Sequence, residues 1–466
     1  MITSLDSSVI DANSEALGTG IPSLMANAGK AIASVLNERF PGKKIAFVCG
    51  SGNNGGDGIS AAKIMNAGET AVYLLRPMGS IRSDFIRETL SELTCPVMDF
   101  SEFDERGHDV IVDCALGTGM SGEIRPPYDE FIKTANRFGG AVVSVDIPSG
   151  LGTSLSVNPD MTITFHDIKE GMNGENSGEI IVKDIGIPRE AYDNVGPGDM
   201  LRYPIPSEDG HKGSNGKLLI IGGGPYYGAP AMSALAAMRT GVDIVRLAVP
   251  EVCSSLVASF SPVFVISKLS GGSLRMDHLD YLLELSRQYN AVLIGPGLGI
   301  FDATTETVRQ FVRECEIPIV IDADGLTALG RNFASNGKTI LTPHRKEFER
   351  LGGDPCNAAD SVKELAERTD SVILLKGRVD MISDGKRIRY NTAGNPGMTS
   401  AGTGDVLAGI VAGLLSKGMT CFDAAALGAF ISGRAGEHAF EEMSYGMIAA
   451  DVIDNIPKVL REYLRR

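Results

Sequence analysis

The sequence contains no block of lysine and arginine, no uninterrupted apolar run long enough to span a bilayer, and no CxxC pair. The first absence, with a formal charge of −15, argues against nucleic acid and anionic membrane as partners. The second, with a polar start (MITSLDSSVIDANSEALGTG), leaves neither a signal peptide nor a membrane span to expect. Seven scattered cysteines, an odd number, fit reduced thiols in the cytoplasm better than a disulfide framework. Short repeats and low-complexity tracts are missing too. Anionic small ligands would have to be held locally, by loop amides and helix ends.

What is present is glycine, 56 residues of it, much of it clustered directly after apolar runs. A chain of 466 residues is too long for one ordinary core. Residues 11–40 read as helical, with Leu24, Met25, Ala28, Ile32, Val35 and Leu36 on one face. Residues 44–49 read as a buried strand, followed by a glycine-rich loop, a helix over 59–66 and a strand over 71–75. Further strands end at Asp113 and Asp146. Regularity fails between about 188 and 216, where Gly and Pro accumulate, and the domain boundary is placed there, between 205 and 206. The rhythm restarts at 217–221 and recurs at 291–294, 319–321, 338–341 and 372–375. Strands alternating with helices predict two successive α/β domains, each a parallel sheet covered on both faces.

In the second half, Ala401-Gly402-Thr403-Gly404 opens a helix whose apolar stripe is Val406, Leu407, Ile410, Val411, Leu414 and Leu415. Free amides and the helix dipole at such an end suit phosphate, and glycine lets the anion approach. Asp405 in the first turn is a carboxylate beside that site. It suits proton removal from a hydroxyl during phosphoryl transfer, or it merely offsets the dipole.

In the first half, Gly50-x-Gly52-x-x-Gly55 between strand and helix matches a dinucleotide fingerprint. The acid expected about twenty residues on is missing, and Arg76 stands at the end of the second strand instead, a hint of a 2′-phosphate. Asp113 and Asp146 could simply cap the turns after their strands. The denser feature is Asn53-Asn54-Gly55-Gly56-Asp57-Gly58. With Asp113, residues 117–123 and residues 146–150, it resembles the NAD(P)HX epimerase family, a Rossmann-like α/β/α domain expected over 1–205. The resemblance implies that Asn53, Asn54, Gly55, Gly56 and Asp57, with Gly117, Thr118, Gly119, Met120, Ser121, Gly122 and Glu123, cradle a hydrated dinucleotide. It further implies that Asp146 acts as acid/base at the damaged nicotinamide ring, and that Asn54, Asp113 and Ser149 surround K⁺, an ion suited to oxygen ligands. Ala26 departs from the Glu usual in that family.

Residues 206–466 resemble the ADP/ATP-dependent NAD(P)HX dehydratases, which have a ribokinase-like α/β fold. The matching segments are Tyr227-Gly228-Ala229-Pro230, residues 295–299, Asp322-Ala323-Asp324, Thr342-Pro343-His344 with Glu347, Lys376-Gly377 and residues 395–405. The resemblance implies that Ala229, Gly299, His344 and Asp405 line the hydrate pocket. Lys376, Gly377, Arg378, Val379, Asp380 and Gly404 would hold ADP or ATP with Mg²⁺. Relatives commonly carry Thr where Asp380 stands. By itself, His344 after Thr342 and Pro343 equally fits a plain helix start. The expectation is a cytoplasmic, homo-oligomeric repair enzyme acting on NADHX or NADPHX with ADP or ATP. A vitamin-precursor kinase would use the same glycine turn and acid, and a nucleotide sensor would keep the pockets without turnover.

Overall fold

The computed structural model describes residues 1–66, 69–119, 122–335 and 337–464, and the chain falls into two compact units, Met1–Ala191 and Tyr192–Arg466. The division precedes the expected 205/206 boundary. Glycine and proline break the secondary structure after residue 188, but Val195, Met200 and Tyr203 are buried in the second unit's core, so that stretch packs with the second unit.

The first unit is a parallel seven-stranded sheet: β1 Ile45–Cys49, β2 Thr70–Leu74, β3 Val97–Asp99, β4 Val110–Cys114, β5 Ala141–Val145, β6 Met161–Phe165 and β7 Glu179–Lys183. Their order is β3-β2-β1-β4-β5-β6-β7. Strand residues alternate between two cores, as a period of two requires. Ile45, Phe47 and Cys49 face the helices Ile21–Arg39, Asn53–Ala62 and Asp84–Ser91, whereas Ala46 and Val48 face Tyr128–Ala135. The expected helix over 11–40 is two helices, Ser4–Ala16 and Ile21–Arg39, separated by a turn with Gly18 at φ +92°. The helix expected from Ile59 begins at Asn53, so the polar Asn53 to Gly58 segment forms its first turns and not a loop.

The second unit is a nine-stranded sheet: β8 Lys217–Ile221, β9 Ile244–Pro250, β10 Val265–Leu269, β11 Ala291–Ile294, β12 Ile319–Ile321, β13 Thr339–Leu341, β14 Val372–Leu375, β15 Asp380–Ser383 and β16 Ile388–Asn391. The order is β10-β9-β8-β11-β12-β13-β14-β15-β16, parallel through β14 and antiparallel in the last two strands. Leu218 and Ile220 face one core, built from Gly228–Arg239, Thr403–Ser416, Cys421–Met443 and Ala449–Tyr463; Leu219 and Ile221 face the other. Two glycines permit the close helix packing: a Cβ on Gly409 would lie 2.2 Å from the Ser233 carbonyl oxygen, and one on Gly413 2.4 Å from Thr240 Oγ1. Among the described residues no helix is long and apolar enough to cross a membrane.

Candidate active sites

In each sheet the strand order reverses once, at β1/β4 and at β8/β11. Ligands of open α/β sheets lodge beyond the strand ends at such a reversal. In the first unit a cavity of about 490 Å³ opens there, lined by Asn53, Asn54, Asp57, Gly117, Thr118, Gly119 and Asp146 together with Asp11, Tyr128, His166 and Lys169. Gly55 and Gly56 are not among its walls. A Cβ on Gly55 would fall 2.0 Å from the Gly50 carbonyl oxygen and one on Gly56 2.5 Å from Met25 Sδ, so close packing accounts for both. Gly122 and Glu123 are exposed and also do not line the cavity, and Met120 and Ser121 lie outside the described residues. Arg76 lies over the Tyr128 ring, 5.6 Å from its centroid, at the edge of this site.

Asp146 follows β5 with φ +64°, a left-handed conformation uncommon outside glycine. Its Oδ1 lies 2.5 Å from Lys169 Nζ, and both side chains are mostly withdrawn from solvent. Lys169 also donates to Thr164 Oγ1 at 3.0 Å and to the Phe165 carbonyl at 2.6 Å, so its ammonium is fixed on three sides. Burial pushes the Asp57 carboxyl well above the usual range, and the charges of Asp146 and Asp11 push it further, against a smaller pull from Lys169. One cavity therefore holds a carboxyl that burial makes hold its proton more tightly than usual, and a second carboxyl group paired with an ammonium.

Asp113 is fully buried and saturated. Its Oδ1 accepts from Ser149 Oγ (2.5 Å) and Ala115 N (3.2 Å), its Oδ2 from Ser144 Oγ (2.8 Å) and Ser149 N (2.9 Å). Burial still raises its carboxyl against all four donors. Asn54 Nδ2 donates to the Leu116 carbonyl at 2.9 Å, while its buried Oδ1 has no partner among the described residues. No group of three His, Cys, Asp or Glu side chains is arranged for a metal among the described residues.

In the second unit, Gly402 (φ +95°) turns the chain into Thr403–Ser416, and a Cβ there would lie 2.6 Å from Met232 Sδ. Asp405 in the first turn is pushed up to about 7, by burial first and then by the charge of Asp322, with Lys376 opposing and Asp324 adding. Lys376, at the end of β14, places Nζ 2.8 Å from Oδ1 of the buried Asp322, and that same oxygen accepts from Thr342 Oγ1 at 2.8 Å. A Cβ on Gly404 would come within 3.4 Å of Lys376 Nζ, so this ammonium stands over the helix start. Burial works against its charge, but Asp322 and Glu347 outweigh it and hold the ammonium protonated.

Ala229 lies in the first turn of Gly228–Arg239, and Ser233 in the same helix donates to the Asp405 carbonyl at 2.9 Å. Gly299 N donates to Asp324 Oδ2 at 2.8 Å, tying the turn after β11 to the helix after β12. His344 is an N-cap: its Nδ1 accepts from Lys346 N (3.1 Å) and Glu347 N (3.3 Å), and Glu347 Oε2 accepts from His344 N (2.8 Å). The bare helix-start reading of His344 therefore describes its bonding, with half of its side chain still exposed. Asp380 bonds Gly377 N at 3.0 Å and Asn391 Nδ2 at 2.9 Å, which fixes the β15–β16 hairpin and occupies both its oxygens. Gly377, Arg378 and Val379 are exposed in the turn before it.

Sequence reasoning passed over Lys169, Asp11 and His166 in the first site, and Asp322 and Glu347 as site groups in the second. Asp322 stood in a matched segment, at a strand end like Asp113 and Asp146. Lys169 carried no local signal, because it reaches Asp146 only through the β5–β6 pairing.

A family model described as NAD(P)H-hydrate dehydratase matches residues 218–458, and one described as YjeF-related protein N-terminus matches residues 22–171. The Bifunctional NAD(P)H-hydrate repair enzyme Nnr of Methanothermobacter thermautotrophicus is 40% identical over 98% of this chain and 94% of its own length. Its namesake from Archaeoglobus fulgidus is 39% identical over 98% of both chains. Among solved structures, the ADP/ATP-dependent NAD(P)H-hydrate dehydratase of Bacillus subtilis co-crystallized with ATP/Mg²⁺ is 26% identical. It superposes with a TM-score of 0.51, covering 58% of this chain and 98% of that one. With glycine-lined, acid-bearing strand ends in both units, the chain belongs to the family of bifunctional NAD(P)H-hydrate repair enzymes.

Proposed function

We infer that the first unit interconverts the R and S hydrates of NADH and NADPH, and that the second dehydrates the S form with ADP or ATP. The observation that carries the dehydratase half is Asp405, poised near neutrality beside Lys376 at a glycine-opened helix start. Hydroxide is a poor leaving group, so the ring hydroxyl must first be phosphorylated. Asp405 takes the hydroxyl proton as the oxygen attacks the terminal phosphoryl group. Amides at Thr403–Ser416 and the Lys376 ammonium stabilise the charge on the transferring group. The phosphate ester then departs, pushed by the ring nitrogen, and loss of a proton from the neighbouring ring carbon restores the dihydronicotinamide. Mg²⁺, when bound with the nucleotide, would neutralise phosphate charge, and Asp324 offers an oxygen donor of the kind it takes.

In the first unit, inverting the hydroxyl-bearing carbon means opening its C–O bond and closing it on the other face. Asp57, whose proton burial retains, supplies it to the departing oxygen, and Asp146, paired with Lys169, takes one from the returning water. The orphaned Asn54 Oδ1, beside the Leu116 carbonyl, fits a potassium ion in chemistry; there the ion would fix the turn that carries Gly117 and Thr118.

Incubating the purified protein with prepared NADHX and ADP or ATP tests this reading. Return of reduced-nicotinamide absorbance with release of phosphate is the expected result. A stable phosphorylated product marks a kinase, and saturable binding without turnover marks a sensor.

A further inference from the structure

The loops that leave β8 and β11 touch. A Cβ on Gly297 (φ +71°) would fall 2.0 Å from the Tyr226 carbonyl oxygen. One on Gly299 (φ +76°) would fall 2.8 Å from Phe301 Cε2 and 2.9 Å from Pro225 Cγ. The backbones are thus tightly joined, yet the large side chains of this junction stay in water. Tyr226 is 65% exposed, Tyr227 43%, Ile300 63% and Phe301 49%. Exposed aromatics need a reason, and rings beside the strand reversal where ligands lodge offer a face for stacking a planar base.

Position narrows the base. The loops flank the β8/β11 reversal; one carries Gly299, and the other leads through Tyr227 into the helix that begins Gly228-Ala229. Lys376 and the turn after it follow β14, which is separated from β11 by β12 and β13. Three strand spacings amount to about 14 Å, so these rings do not adjoin that turn. Tyr227 precedes Ser233, the residue bonded to the Asp405 backbone, by six positions, or about 9 Å of helix. That offset suits the far end of a dinucleotide whose damaged ring lies at Asp405.

We propose that Tyr226, Tyr227 and Phe301 form an aromatic platform that stacks the adenine of the hydrated dinucleotide, making affinity for the whole dinucleotide depend on its non-reacting half. This rests on the repair reading of the second unit. The test compares NADHX, the shorter hydrate of reduced nicotinamide mononucleotide, and ADP in steady-state dehydration. For Tyr226→Ala/Phe301→Ala, KM for NADHX rises about tenfold or more, on the scale of one lost base-stacking contact. KM for ADP and for the short hydrate stays within twofold. Tyr226→Phe/Phe301→Tyr, which keeps both rings, retains the parent KM, and Tyr226→Ala alone shows a smaller rise of the same kind. An unchanged KM for NADHX in the double alanine variant overturns the proposal, and so does a rise confined to ADP. If the unsubstituted protein dehydrates neither hydrate, the repair reading itself has failed and the platform falls with it.

Discussion

Lys376 Nζ bonds Asp322 Oδ1 at 2.8 Å, and the same ammonium stands within reach of the start of the Asp405 helix. One cation is thus held by a buried carboxylate just past β12 and faces the helix start. Asp322 is 2% exposed and Lys376 18%, so the pair is dry enough for its loss to be felt. Asp322→Asn leaves a buried ammonium short of its nearest counter-charge, and breaking a buried pair from one side costs about 3 kcal/mol. Denaturant unfolding of the second unit should show that loss, and dehydration should slow at least tenfold while epimerisation holds. Full dehydratase activity in a normally folded variant would mean that Asp322 does not position Lys376.

Asp405 yields a pH prediction with a defined sign. Its carboxyl is pushed up to about 7 by burial and the Asp322 charge, and as a base it acts only when ionised. The dehydration rate should therefore rise with pH through about 7 and flatten above it. Asp405→Asn should lower kcat by about 10²–10⁴ at every pH and erase that limb, with epimerisation intact. Persistence of the limb in the variant would place the base elsewhere.

The same shift bears on stability. The folded protein holds the Asp405 proton more tightly than the unfolded chain does. Between about pH 4 and 7 the native state binds more protons, so stability falls as pH rises through that window and stays reduced above it. Removing the ionisable group should relieve this, making Asp405→Asn more stable than the parent by about 2–4 kcal/mol at pH 8 and no different near pH 3. Thermal unfolding at the two pH values reads the difference. Equal midpoints at pH 8 would show that Asp405 is not strained by burial.

Asp405 also marks what the sequence made legible. Asp405 announced itself because a glycine turn, a helix start and an acid are neighbours in the chain, as are Asn53, Asn54 and Asp57. Strand ends followed by polar residues were readable for the same reason, and they led to the first cavity. Contacts made across the sheet were not readable. Lys169 meets Asp146 only because β6 lies beside β5, and Asp380 meets Asn391 only through the β15–β16 register. Gly55 and Gly56 looked like ligand glycines, yet they serve the contact of a helix with the Gly50 turn and with Met25. The Pro- and Gly-rich stretch suggested a boundary at 205/206 because its few apolar residues have no period, though Val195, Met200 and Tyr203 are buried in the second unit's core.

If exchange of the hydrates runs on the Asp146–Lys169 pair, the two activities can be separated by substitution. Lys169→Met leaves Asp146 without its 2.5 Å partner and should slow R-to-S exchange by at least tenfold, and Asp146→Asn should do the same. Neither change touches the second unit's acid, so dehydration of pure S hydrate should keep its rate. Following exchange by chromatography of the two epimers, and dehydration by absorbance, resolves the two effects. Equal loss of both activities in either variant would argue against separate sites.

Asn54 provides the last test. Its Oδ1 is buried without a partner among the described residues, a cost of about 1–3 kcal/mol that a bound cation would cancel. If potassium takes this oxygen, replacing tetramethylammonium chloride by KCl at equal ionic strength should raise the unfolding midpoint of the parent protein. The same exchange should not raise that of Asn54→Ala, which has no oxygen there to offer. The parent should also lose epimerase rate on removal of potassium, while dehydration of S hydrate stays constant. Binding of an ion to the native state stabilises in proportion to the logarithm of its concentration, so the midpoint should climb steadily over a KCl titration. A parent midpoint indifferent to potassium, or an identical climb in Asn54→Ala, would leave this oxygen as an unpaired buried acceptor and remove the ion from the first site.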